Sequence, residues 1–358
     1  MRKLSLNIRL LIVFSIFLIG FFISNFLFTS YTNNAYVQEM HQAVDLTKKW
    51  FGIVQHQKEI RGISSDAISN VPYNFLLGDD FTPSTTTLGS LNAKEISTNP
   101  DFSALMVRLI KEAKIGEWDK VGVIASGSFP SLVISTLAAL QTLNLNVIMM
   151  SSLGASSYGA NQEYASWLDI ENWLIEEGNL KYHSQIVSKG AENDLGSGLS
   201  DEGNLILEEA ARRNNSLLYA PQSLTQSITD RVNLFTASGI SLLINIGGNQ
   251  AALGNCTHSV SIPNGLNQHL SLCDDKDRGV IQEINAMGIP IINLLNIKGL
   301  ANQYKMDIAP GIQYAESFEL FNDKYKNRTM MAITLLVGIF CLVISAPRKE
   351  QVQSAFKI

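Results

Sequence analysis

At 358 residues, 46% of them hydrophobic, the chain can form one large domain or two moderate ones with a sizeable core. The net charge is −5 and no Lys/Arg stripe interleaved with aromatics occurs, which speaks against a nucleic-acid partner. Three cysteines and five histidines show no metal-ligand spacing, and no G-x-G-x-x-G follows a strand; neither a metal, a dinucleotide nor another cofactor is expected.

Taken in chain order, residues 10–28 carry no charge and follow Arg2, Lys3 and Arg9. Roughly 20 apolar residues cross a bilayer as a helix, and flanking basic residues stay in the cytoplasm. This predicts a cytoplasmic N-terminus at 1–9 and a transmembrane helix at 10–29; the run is longer than the apolar stretch of a usual signal peptide. A second uncharged run at 329–346 reads as a returning span, with a cytoplasmic tail at 347–358. That topology puts the protein in contact with the lipid bilayer, with both termini cytoplasmic and an extracytoplasmic domain at 72–327. Residues 30–71 read as a stalk helix, because Ala43, Leu46, Trp50, Ile53 and Val54 recur at three-to-four spacing.

From Pro72 to Thr98 the chain is rich in Thr, Ser and Gly and long for a linker, which marks a functional loop. Asn99-Pro-Asp101 opens a helix. Beyond it, strands at 121–125, 146–151, 216–220, 240–246 and 290–295, with a short apolar stretch at 183–187, alternate with helices at 130–142, 164–177, 201–213, 221–237 and 279–287. The alternation predicts an α/β fold: a mainly parallel, Rossmann-like sheet with helices on both faces and right-handed crossovers. A small lobe around 252–278 holds Cys256 and Cys273, for which a disulfide and two buried thiols both fit.

Three strand ends run into loops of small residues. The first, Ala125-Ser-Gly-Ser-Phe-Pro130, lacks the Gly-Lys-Ser/Thr of a phosphate loop and the outer glycines of a nucleophile elbow. Ser126, Gly127 and Ser128 fit a ligand cradle at a helix N-terminus, a plain helix cap, or, for either serine, a catalytic nucleophile. The second, Gly154-Ala-Ser-Ser-Tyr-Gly-Ala-Asn161, is longer than a turn requires and offers Ser156, Ser157, Tyr158 and Asn161 to a ligand. The third carries Gly247 and Gly248, which allow close backbone approach. Lys94 can add a charge-assisted contact or lie on the surface. Asp169 and Glu171 read as helix-dipole complements or as catalytic acids. A Ser–Asp169–His258 triad is one possible order among many in a long chain.

These loops resemble the poly-gamma-glutamate system protein family of bacterial capsule loci. The likeness rests on Thr85-Thr-Thr-Leu-Gly-Ser-Leu-Asn-Ala-Lys94, Thr98-Asn-Pro-Asp-Phe102, Ala125-Ser-Gly-Ser-Phe-Pro130, Ser151-Ser-Leu-Gly-Ala-Ser-Ser-Tyr-Gly-Ala-Asn161 and Asn245-Ile-Gly-Gly248. It implies a membrane-anchored accessory component of poly-gamma-glutamate synthesis or export in the bacterial inner membrane, its main domain periplasmic, with the anionic polymer and the synthase membrane subunits as partners. It carries no established catalytic set. The alternative is an extracytoplasmic serine amidase or transpeptidase acting on the gamma-glutamyl polymer.

Overall fold

The computed structural model describes residues 29–256, 262–309 and 312–326, together with 11, 14–15, 17–22, 329, 332–333 and 336–340. The chain divides into two units, Ala35–Phe321 and a smaller one formed by Met1–Asn34 with Asn322–Ile358.

In the larger unit, α1 (Val37–Ile60), α2 (Leu91–Ser97) and α3 (Asp101–Glu112) precede β1 (Lys120–Ser126). The chain then alternates through α4 (Pro130–Thr142), β2 (Asn146–Ser152), α5 (Trp167–Gly178), β3 (Ser184–Ser188), α6 (Asp201–Arg213), β4 (Leu218–Tyr219), α7 (Leu224–Ser238) and β5 (Ile240–Ile246). It ends with α8 (Gln250–Leu253), β6 (Gly265–Asn267), α9 (Val280–Ala286), β7 (Ile291–Leu294) and α10 (Ile297–Gln303). The seven strands form one sheet in the order β4-β3-β2-β1-β5-β7-β6. All neighbours are parallel except the β6–β7 edge pair. The chain builds outward from β1 to β4, then returns to lay β5 on the other side of β1. A ligand crevice is expected where the strand order reverses, outside the carboxyl ends of β1 and β5.

Both faces of the sheet are covered, so the central strands are apolar throughout, not alternating. Val121, Val123 and Met149 pack with Trp50, Leu105 and Leu137 on one side. Ile124, Met150 and Leu243 pack with Phe235, Ile281 and Ile284 on the other. The segment read as a stalk belongs to this core. Met40, Ala43, Trp50 and Phe51 of α1 are fully buried, α1 packs against α3, α4 and α5, and Trp50 Nε1 donates to the carbonyl of Gly178 at 2.9 Å. Its apolar stripe identifies a face to be covered, and the domain's own helices cover it.

The spans read at 10–29 and 329–346 lie partly outside the described residues. Among the described residues no helix is long and apolar enough to cross a membrane. The two spans are therefore withdrawn, and with them the inner-membrane and periplasmic placement. What the smaller unit does show is an antiparallel strand pair, with Thr29 opposite Lys326 and Asn33 opposite Asn322.

Cys256 and Cys273 are paired as a disulfide, 17 residues apart with Cα atoms at 6.1 Å. A cross-link over a loop of this length removes about 3 kcal/mol of chain entropy from the unfolded state. Dithiothreitol is expected to lower the unfolding free energy by about that amount in a urea titration. An unchanged midpoint would count against the cross-link.

Candidate functional site

The parallel topology brings the strand ends together at one edge. β1 closes on Ser126, and the turn Ser126-Gly-Ser-Phe129 leads straight into α4, whose first residue is Pro130. A side chain at Gly127 would meet the Leu153 carbonyl oxygen at 2.6 Å, so only glycine admits the β2 loop this closely. The Gly127 N–H donates to Ser152 O at 2.9 Å, and Ala160 N donates to Gly127 O at 2.8 Å. The Thr-rich segment joins on the other side, through Thr86 N to Ala155 O at 2.8 Å and Ser157 N to Thr87 O at 3.0 Å. Between these loops lies a cleft of about 500 Å³, at the strand-order reversal. Its walls include Thr86, Ser126, Ser128, Ser156, Glu192 and Gly248.

Lys94, carried by α2, stands behind this wall. It is 2% exposed. Its Nζ bonds to Ser156 Oγ at 2.8 Å and to the carbonyl oxygen of Ser128, and lies 4.0 Å from the centre of the Phe129 ring. None of these partners is an acid, so no counter-charge offsets the cost of burying the ammonium. Desolvation pushes the Lys94 ammonium down from 10.5 to about 7. The serines form one hydrogen-bonded row. Ser126 Oγ donates to Ser128 Oγ at 3.0 Å and accepts from Ser128 N at 3.2 Å, and Ser156 N donates to Ser128 Oγ at 3.0 Å. A hydroxyl next to an amine that is half neutral near pH 7 is the arrangement of an activated nucleophile.

Several residues read as ligand contacts are otherwise engaged. Asn161 is a brace: its Nδ2 donates to Asp79 O and Thr85 Oγ1, its Oδ1 accepts from Asp79 N, and its carbonyl accepts from Thr82 and Ser84. Tyr158 has a left-handed backbone, φ 62°, and its main chain bonds to Gly78 and Asp79. Ser157 is buried, its hydroxyl without a partner among the described residues. Gly248 lines the cleft. Gly247 adopts φ 90°, and a side chain there would press on Ser126 Cβ at 3.1 Å.

Asp169 closes a capping box with Ser166 and pairs with Arg213 at 2.6 Å. Glu171 is buried under Trp167 and Ser184, which bond to its carboxylate; burial holds its carboxyl above the ordinary range. Both acids serve α5. Of the histidines, His258 lies outside the described residues and no other lines the cleft. No group of metal-ligating side chains occurs among the described residues.

The most consequential feature that sequence reasoning missed is a buried ion pair. Arg231 Nη2 lies 2.8 Å from Asp194 Oδ2, with the two side chains 2% and 0% exposed. Ser188 and Ser227 donate to the Asp194 carboxylate at 2.7 and 2.6 Å. The pair anchors the loop after β3, where Gly190, Ala191, Asn193, Asp194, Gly196 and Gly198 all have positive φ. Such a loop is costly and persists only when overdetermined. Gln250 clamps it to the β5 loop, its Oε1 accepting from Asn193 N at 2.6 Å. No contiguous motif announces a contact between Asp194 and Arg231; the Gly/Asp-rich composition of 189–198 was the one available signal.

No family model, curated protein or solved structure matches this chain.

Proposed function

We propose that the cleft is the active site of a serine–lysine acyl hydrolase or acyl transferase, with Ser156 as nucleophile and Lys94 as its general base. The observation that carries this reading is the 2.8 Å bond between Ser156 Oγ and a buried, acid-free lysine whose ammonium is pushed down to about 7. Ser156 opens on the cleft and Lys94 sits behind it, so an acyl group reaches the hydroxyl without displacing the amine. Ser156 Oγ bonds to the acyl carbon as its proton passes to Lys94 Nζ. Lys94 returns that proton to the departing amine, and water or a second amine then releases the acyl group from the serine. The resemblance of the loops to a capsule-associated family supports gamma-glutamyl amides as the substrate class.

A second reading is polymer binding without turnover, as an accessory component that organises the synthase subunits. The N-terminus of α4 favours it: Phe129 caps that helix without a side-chain hydrogen bond, which suits a carboxylate. The charges favour it less. The cleft lining contains Glu192 and no lysine or arginine, so a polyanion finds no cation at the surface.

The test uses the full chain with p-nitrophenyl acetate and with gamma-glutamyl oligomers. Ser156→Ala is expected to lower turnover by about 10³-fold or more. Turnover within about tenfold of the parent would overturn the serine–lysine reading. Saturable oligomer binding by a parent protein that turns over neither compound would favour the second reading.

A further inference from the structure

We propose that Ser128 supplies the hydrogen bond that stabilises the oxyanion formed on attack by Ser156; the inference rests on the serine–lysine reading. A hydroxyl has one proton to give and two lone pairs to receive with. Both lone pairs of Ser128 Oγ are taken, one by the Ser126 hydroxyl and one by the Ser156 main-chain N–H, each at 3.0 Å. Its own proton is unspent, and the residue lines the cleft.

The neighbouring donors are spent. An acyl-transfer site commonly uses main-chain N–H groups beside the nucleophile to hold the oxyanion. Here the Ser156 N–H is given to Ser128 Oγ, Ser157 N–H to Thr87 O, Gly127 N–H to Ser152 O and Phe129 N–H to Ser126 O. The Ser126 hydroxyl is given to Ser128. The Ser157 hydroxyl is also without a partner among the described residues, but it is buried and does not line the cleft; the Ser128 proton faces the cleft, on an oxygen 3.0 Å from the main-chain nitrogen of the nucleophile. An acyl group bonded to Ser156 Oγ keeps its carbonyl oxygen in that neighbourhood. As the Oγ–carbon bond forms, the carbonyl π pair moves to oxygen, the Ser156 proton goes to Lys94, and Ser128 keeps its own proton while donating to the new alkoxide. The two donations Ser128 receives polarise its O–H and strengthen the one it makes.

The experiment is steady-state hydrolysis of p-nitrophenyl acetate by the full chain. Ser128→Ala is expected to lower kcat by about 10²–10³-fold at nearly constant KM, the usual consequence of losing one oxyanion donor. The rising pH limb set by Lys94 is expected to stay at its parent midpoint. Ser128→Thr, which keeps the donor, is expected to restore the rate to within about tenfold, and Ser128→Cys, a weak donor of similar size, to lose at least about tenfold. The inference is overturned if Ser128→Ala and Ser128→Cys both turn over within about fivefold of the parent while Ser156→Ala is inactive. It is also overturned if the loss lies in KM or the pH midpoint moves, since Ser128 would then only position the site. Full activity of Ser156→Ala would instead remove the serine–lysine reading beneath it.

Discussion

Lys94→Met is expected to abolish turnover and to make the protein more stable at neutral pH. General-base catalysis is worth about 10²–10⁴-fold, and Met has no lone pair to take the Ser156 proton. The stability gain follows from the cost of the native lysine. Its ammonium falls from 10.5 to about 7 on folding because burial disfavours the charged form. Between those values the unfolded chain binds a proton that the native state does not, so stability rises with pH through that window. Below about 7 the native state carries the buried charge and its full penalty. An apolar side chain of similar length removes the penalty, a gain on the order of a few kcal/mol at pH 6 that shrinks toward pH 10. Two lost hydrogen bonds offset it by about 1 kcal/mol each. Urea titrations of parent and variant at pH 6 and pH 9 measure the difference, and the parent's rate should climb with pH through about 7. A variant less stable than the parent at pH 6, or a rate flat between pH 6 and 8, would refute this account. Lys58, buried and lowered to about 8 by desolvation, has the same sign and cancels in the comparison.

Asp194→Ala should be among the most destabilising single changes in the domain. It leaves the Arg231 guanidinium buried and strips Ser188 and Ser227 of their acceptor. Removing one partner of a buried pair costs about 3–5 kcal/mol, because the stranded charge keeps its desolvation penalty. The double variant Asp194→Leu/Arg231→Met is expected to regain most of that stability, since apolar replacement of a whole pair is often neutral. It should not regain the cleft, because the strained turn at 190–198 loses its anchor and Glu192 moves with it. Chemical denaturation gives the stability of both variants, and hydrogen exchange of the 190–198 amides reports on the loop. A loss below about 1 kcal/mol in Asp194→Ala would show that the pair is solvated or dispensable.

Much of the sheet was legible because its strands are short apolar runs between helices, and the 130–142 and 201–213 helices and the 240–246 strand fall where pattern places them. The closeness of the Ser/Gly loops follows from topology alone, since parallel strands deliver all their carboxyl ends to one edge. Periodicity could not say what covers α1: Trp50 and Phe51 mark a face, and the partner is set by residues far along the chain. Depth was equally hidden. Lys94 lies in a polar, Thr-rich stretch, and its burial is imposed by Phe129 and Ser156, 35 and 62 positions away. The bracing bonds of the Asn161 side chain and of the Tyr158 main chain were not legible, because a loop's composition does not tell which side chains face the cavity and which brace the loop. The 265–267 strand, at three residues, was too short to leave a pattern.

The strand pair Thr29–Asn33 with Asn322–Lys326 joins positions 289 apart, as in the bond from Asn34 to Asp323 at 3.0 Å. Everything from Ala35 to Phe321 is thus a single closed loop of chain with its two ends side by side. Closing so long a loop is entropically unfavourable before the domain condenses, so the pair is a late event in folding, not a nucleus. A chain whose ends already meet tolerates being cut elsewhere. Fusing 34 to 322 through a short linker and opening new termini beside the exposed Leu217 would give a circularly permuted α/β unit with its cleft untouched.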